Sequence, residues 1–102
     1  MKRDLNQPML DLEGKPFEDV KTLRDIVYAA LRATLPGDER LTPLESNEVF
    51  ALAIRVVQGG VIDVTAKELQ TLTDRVGRIF PNPIVRGLAT RMLENDFVDP
   101  PA

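Results

Sequence analysis

The chain has 102 residues, enough for one domain, and 13 Lys and Arg against 16 Asp and Glu give it a formal net charge of -3. It contains no His, Cys or Trp, and Ser46 is its single serine. These absences exclude Ser-His, Cys-His and His-Asp catalytic constellations, zinc sites built on Cys or His, and disulfide bonds.

Apolar residues make up 43% of the chain and charged residues 28%, which is typical of a soluble globular domain. Residues 1–8 are polar and end at Pro8, so we expect a flexible N-terminus without a signal peptide. The longest nearly uncharged apolar stretch, Val49–Ile54, is far shorter than the roughly 20 residues of a membrane-spanning helix. We therefore expect a cytoplasmic protein that has no membrane partner.

The next segment has the alternating pattern of a short β-hairpin or extended arm. Leu10 and Leu12 alternate with acidic residues, and Gly14 can adopt a positive φ. Pro16 would restrict this element to the edge of a sheet. The brief β-type segment 61–64 is a potential pairing partner for it.

Four amphipathic stretches with clear start signals predict four helices of about 13–16 residues. The start signals are Thr22, the capping boxes Thr42–Glu45 and Thr65–Glu68, and the pair Asn82–Pro83. The predicted fold is mainly α, with four short helices packed as a small bundle and a minor N-terminal β-hairpin or extended element. We expect residues 9–95 to form one helical domain and residues 96–102 to form an acidic flexible tail.

The second helix is apolar around most of its circumference between Val49 and Val57. Its charged residues form only a narrow polar stripe, at Glu45, Glu48 and Arg55. This pattern predicts that it is the central and most buried helix. If the other helices do not cover it, the exposed remainder would drive self-association.

No cofactor or metal is predicted. The loop after the second helix has the glycine and apolar residues of a calcium-binding EF-hand loop. With Gly60 as its turn glycine, however, its early ligand positions are Arg55, Val57 and Gly59, and its twelfth position is Ala66. Calcium needs several oxygen ligands at those positions, so the pattern favours an ordinary helix end followed by a capped helix start.

We also predict no enzymatic activity, because the paired carboxylates Glu45 and Glu48 are better explained by helix capping and by a polar stripe. Arginines dominate the charge between residues 74 and 91, and Arg75 and Arg78 lie one turn apart on the predicted solvated face of the third helix. We expect partner contacts at the N-terminal hairpin together with this arginine face, through Leu10, Leu12, Phe17, Arg75, Arg78 and Arg86.

Six segments together span most of residues 9–94, and they are Leu10–Phe17, the helix start Thr22–Leu23, Val61–Leu69, Val76–Phe80, Ile84–Gly87 and Met92–Glu94. These segments resemble small proteins of about 100 residues that are encoded in bacteriophages and prophages. The resemblance implies a protein without an assigned activity and a role in virion morphogenesis within the bacterial cytoplasm. It carries no catalytic or binding residues. Asn82–Pro83 departs from the family pattern by adding a second proline beside Pro81.

The leading hypothesis is a phage or prophage accessory protein that acts through protein–protein contacts, such as a head or tail assembly factor or chaperone with a phage structural protein as its partner. A second hypothesis is a DNA-binding regulator in which the third and fourth helices form a helix-turn-helix. The apolar start of the fourth helix at Ile84 and Val85, and the net negative charge, argue against nucleic acid as a partner. The third hypothesis is a structural homo-oligomer.

Overall fold

The computed structural model describes residues 1–94 and confirms a mainly helical fold with four helices and a small antiparallel sheet. The predicted tail at 96–102 lies outside the described residues. The elements in chain order are β1 (Lys2–Asp4), α1 (Leu23–Arg32), a 3-10 helix (Asp38–Arg40), α2 (Pro43–Val57), β2 (Val61–Asp63), α3 (Ala66–Ile79) and α4 (Pro83–Glu94).

The helix starts follow the capping signals in the sequence. At the start of α2 the Glu45 amide donates to Thr42 Oγ1 over 3.1 Å, and the Thr42 amide donates to the Glu45 carboxylate over 3.0 Å. Thr65 and Glu68 make the same reciprocal pair at the start of α3. Each pair satisfies two amides that would otherwise lack partners at a helix N-terminus, so these boundaries are set locally.

The central helix is α1, and the prediction that α2 would be the most buried helix is wrong. α1 packs against α2, α3 and α4, whereas α2 packs mainly against α1. Only Leu52 and Val56 of α2 are buried. Five of the ten residues of α1 are buried, namely Leu23, Ile26, Val27, Ala30 and Leu31. Apolar content measures how much surface a helix could bury, but the tertiary arrangement decides how much it does bury.

The N-terminal segment is an ordered part of the core, in contrast to the flexible start expected for residues 1–8. β1 pairs antiparallel with β2, and Arg3 lies opposite Ile62. Leu5 is fully buried, and its carbonyl accepts from the Arg24 amide in the first turn of α1 over 2.8 Å. The Gln7 carbonyl accepts from the Leu23 amide in the same way. The segment therefore satisfies amides that α1 leaves open.

The segment expected to form the hairpin is a tight turn rather than a pair of strands. A single bridge joins Leu10 and Pro16, and the Asp11 amide donates to the Lys15 carbonyl over 2.8 Å. Gly14 has a φ of 82°, which a side chain would oppose. The segment 61–64 was a potential pairing partner for the hairpin, but β2 pairs with residues 2–4 and not with this turn.

Two arginines are buried within residues 1–94, and both bind backbone carbonyls. The Arg3 guanidinium donates to the carbonyl of Leu93 at the end of α4 and to the Lys2 carbonyl. It thereby ties β1 to an end of α4 whose carbonyls need partners. The second buried arginine is Arg75, on α3.

Candidate interaction site

The predicted contact residues of the N-terminal region divide into two groups. Leu10 and Leu12 lie on the tight turn and are exposed, and 76% of the Leu12 surface is accessible. Phe17 is only partly exposed, because it packs against the hydrophobic core. Within residues 1–94 no hydrogen bond or ion pair links the turn to the predicted arginine face, so the two do not form one bonded surface.

Arg75 does not lie on a solvated face, which corrects the sequence prediction. Its guanidinium donates to the Ala30 and Ala33 carbonyls over 2.9 and 2.7 Å. It also makes a two-pronged pair with the Asp38 carboxylate over 2.9 and 3.1 Å. The helical pattern placed it beside Arg78, but the end of α1 and the 3-10 helix cover it. Arg75 therefore joins α1 to α3 and is not available to a partner.

The other two predicted arginines, Arg78 and Arg86, are exposed, but each donates a hydrogen bond to a backbone carbonyl of the chain. Arg78 donates to the Pro36 carbonyl and lies 3.7 Å from Asp74. Arg86 donates to the Phe80 carbonyl over 3.0 Å. The structure thus brings Arg75 and Arg78 together against residues 36–38 and leaves Arg86 at the start of α4.

The outer side of α2 carries the most extended apolar exposure on a helix within the described residues. Phe50, Ile54 and Val57 are 67%, 46% and 37% exposed. Their spacing of four and three residues places them on one side of the helix, and we call these three residues the α2 face. This side lies away from Leu52 and Val56, which pack on the core. The apolar circumference of α2 is the sequence signal for this face, although the same pattern predicts a buried helix.

The charged residues of α2 point away from the α2 face. Arg55 pairs with Glu68 of α3 over 2.7 Å, and Glu48 pairs with Lys67 of α3 over 3.3 Å. Glu45 is held by the Thr42 cap. No charged side chain of α2 therefore lies on the α2 face, but Arg24 of α1 reaches its Val57 end, where it donates to the Val57 carbonyl over 2.9 Å and pairs with Asp25. A surface of this kind favours an apolar contact.

A cavity of about 520 Å³ opens on the opposite side of α2, between α2, α3 and the 3-10 helix. Its lining includes the apolar residues Leu41, Val49 and Leu52. Its charged residues are engaged within the protein, as the pairs of Glu48 with Lys67 and of Asp38 with Arg75 show. The lining holds five acidic and three basic side chains, and the pair of Glu68 with Arg55 only partly offsets this acidic excess.

The carboxylates around this cavity are stabilised in their charged form. The Arg75 guanidinium, assisted by the Leu35 amide, holds the pKa of Asp38 below its usual value despite burial. Burial raises the pKa of Glu68, but the Thr65 amide and Arg55 outweigh burial and leave this pKa lowered. A general acid at neutral pH needs a raised pKa, so these groups are suited to structural ion pairs.

Comparisons with protein-family models, curated proteins and solved structures find no match to this chain. Within residues 1–94, no helix is both long and apolar enough to cross a bilayer. The part of the chain that the structure describes also holds no cluster of three potential metal-ligating side chains.

Proposed function

We propose that this chain is a non-catalytic phage or prophage accessory protein that acts through protein–protein contacts, and that the α2 face carries the contact. The partner would be a structural protein of the phage head or tail. The observation that supports the proposal is the apolar α2 face. The resemblance of segments such as Val61–Leu69 to small phage proteins supports the phage context.

The α2 face is preferred to the predicted arginine face because its side chains are exposed, whereas Arg75 is buried. Leu10 and Leu12 are also exposed, so the turn is the alternative contact that the experiment below tests. Phe50 and Ile54 project from a regular helix, which holds them in fixed positions. Large apolar side chains that become buried at an interface carry most of its binding energy. Arg75, in contrast, is already committed to Asp38 and to two carbonyls.

Replacing Phe50 by glutamate should weaken capture of the partner about tenfold or more, because a charge would be buried in an apolar contact. The full chain would carry a tag at its C-terminus, because the Met1 ammonium donates to Asp63 Oδ1 over 2.8 Å and to the Val64 carbonyl. It would be expressed in the cells that encode it, after prophage induction. Mass spectrometry would identify the captured proteins.

The matched control is Leu12→Glu, which makes the same type of change on the exposed turn. We expect this variant to capture head or tail components as well as the unaltered chain does. If Leu12→Glu loses the partner and Phe50→Glu keeps it, the contact lies on the turn instead. Recovery of nuclease-sensitive complexes alone would contradict the proposal and favour the DNA-binding alternative.

A further inference from the structure

We propose that the cavity between α2, α3 and the 3-10 helix binds a small organic ammonium ion that carries an apolar body. This cavity lies on the other side of α2 from the α2 face, so the inference is independent of the proposed function. It follows from the size and apolar wall of the cavity, from the charges of its lining, and from a lysine of the chain that already holds its ammonium beside the carboxylates.

The cavity has the size and the apolar wall of a small-molecule site. Its volume of about 520 Å³ falls within the usual range for such sites, roughly 300–1,000 Å³. Leu41, Val49 and Leu52 contribute apolar surface, and Leu52 is 2% exposed, so this wall belongs to the hydrophobic core. An apolar body of about six carbons would contact the wall and displace water from it.

The charges of the lining favour a cation. Five acidic side chains line the cavity against three basic ones, and two of the basic ones, Arg75 and Arg78, already donate to backbone carbonyls. Glu45 Oε1 accepts from the Thr42 amide over 3.0 Å, and within residues 1–94 no lysine or arginine pairs with this carboxylate. An ammonium ion complements this excess, whereas an anion of the same shape would be repelled.

The chain itself shows where a cation is held. Glu45 and Glu48 are three residues apart on α2 and line the same cavity. The Lys67 ammonium lies 3.3 Å from the Glu48 carboxylate. The Thr42 amide and hydroxyl, together with the charge of Lys67, hold the pKa of Glu45 below its usual value. The ammonium therefore acts on both carboxylates, and both are charged at neutral pH.

Lys67 holds this position only weakly. Its side chain is 77% exposed and that of Glu48 is 49% exposed, and ion pairs with such exposure contribute little. The flexible stem of lysine lets the ammonium move into water. A ligand that brings an apolar body as well as an ammonium would displace it, because the ligand also buries apolar surface against Val49 and Leu52.

NMR titration of the full chain at neutral pH tests this inference with three probes that share a six-carbon body, namely hexylammonium, 1-hexanol and hexanoate. We expect hexylammonium to shift the amide signals of lining residues such as Leu41, Leu52 and Thr71. It should bind about tenfold more tightly than 1-hexanol, and hexanoate should bind most weakly. Propylammonium should bind about tenfold more weakly than hexylammonium, because it buries fewer methylene groups.

Two variants change the charge of the site in opposite directions. Glu45→Gln should weaken hexylammonium binding about threefold or more and leave 1-hexanol unaffected, since glutamine still caps α2 but carries no charge. Lys67→Gln should strengthen hexylammonium binding about threefold or more, because it removes the competing ammonium. The matched control is Lys15→Gln, which deletes a lysine from another exposed pair, 3.8 Å from Glu13, and should leave binding unchanged.

Absence of amide shifts with hexylammonium up to about 20 mM would overturn the inference. Binding of 1-hexanol as tight as that of hexylammonium would also overturn it, because the cavity would then select only apolar groups. An equal gain from Lys67→Gln and Lys15→Gln would show a general effect of net charge and contradict the site. Tighter binding of acetyl-lysine amide than of hexylammonium would identify a lysine of a protein as the occupant and overturn the small-molecule ligand.

Discussion

Replacing Arg75 by methionine is expected to lower the free energy of unfolding by about 3 kcal/mol. Arg75 is 5% exposed, and methionine preserves its apolar stem while removing the guanidinium. The change removes the guanidinium donors from the Ala30 and Ala33 carbonyls and from the Asp38 carboxylate, which keeps the Leu35 amide. For a chain of this size, the loss corresponds to a melting temperature lower by roughly 12 °C or more.

Urea unfolding of the two proteins measures this difference, and Arg91→Met provides the control. Arg91 is an exposed arginine on α4, so its replacement should change the free energy of unfolding by no more than about 0.5 kcal/mol. Arg75→Lys should fall between the wild type and Arg75→Met, because lysine keeps the charge but cannot make the two-pronged pair. A loss below about 1 kcal/mol for Arg75→Met would contradict a structural role for this pair.

The same pair should make stability depend on pH. Because the pKa of Asp38 is lowered in the folded chain, chiefly by Arg75, its contribution is fully present above its unfolded pKa of about 3.9. That contribution is lost as the pH falls through the lower folded value. The difference in stability between the wild type and Arg75→Met should therefore shrink as the pH falls below about 4. A difference that stays constant down to pH values near 2 would contradict this origin.

The second large effect is expected at Leu5, where replacement by alanine should lower the free energy of unfolding by about 3 kcal/mol. The Leu5 side chain is fully buried in the core and follows directly after β1. Truncating it removes apolar contacts and leaves a cavity that the surrounding backbone can only partly close. Thermal and urea unfolding would measure the loss.

Leu12→Ala is the matched control for Leu5→Ala, because it deletes the same atoms from a side chain that is 76% exposed. We expect it to change stability by no more than about 0.5 kcal/mol. Equal effects at the two positions would contradict the ordered N-terminus and favour the flexible segment that the sequence indicated.

The sequence was sufficient to predict the helices because their signals are local. A capping box such as Thr42 with Glu45 satisfies backbone amides within four residues of one another. The one-sided apolar pattern of α1 likewise requires only helical periodicity. The four predicted helices and a small N-terminal β element are all present, although the strand lies at Lys2–Asp4 and not in the predicted segment Leu10–Phe17.

The errors arose where long-range contacts determine the structure. β1 forms because residues 61–63 lie beside it, some 60 positions away in the sequence. Arg75 is buried because Asp38 and two carbonyls approach from α1 and the 3-10 helix. Such distant partners cannot be identified from a pattern of three or four residues. The sequence pattern therefore predicts a flexible start at residues 1–8 and a solvated face at Arg75.

The candidate site was foreseeable only in part. The sequence shows an excess of apolar residues on α2, and this excess predicts either burial or self-association. Which side of α2 stays exposed depends on how α1 packs on Leu52 and Val56. Because no local sequence pattern reveals that packing, Phe50 and Ile54 cannot be singled out as exposed from the sequence alone.

Photo-crosslinking from the position of Phe50 tests most directly whether the α2 face is a contact surface. A photoreactive phenylalanine analogue would replace Phe50 in the full chain within the encoding cells, and a second sample would carry it at Gln70, an exposed position on α3. We expect irradiation to link position 50 to an identified structural protein of the phage, with position 70 giving no such product. Absence of any product specific to position 50, or equal products at both positions, would contradict the account.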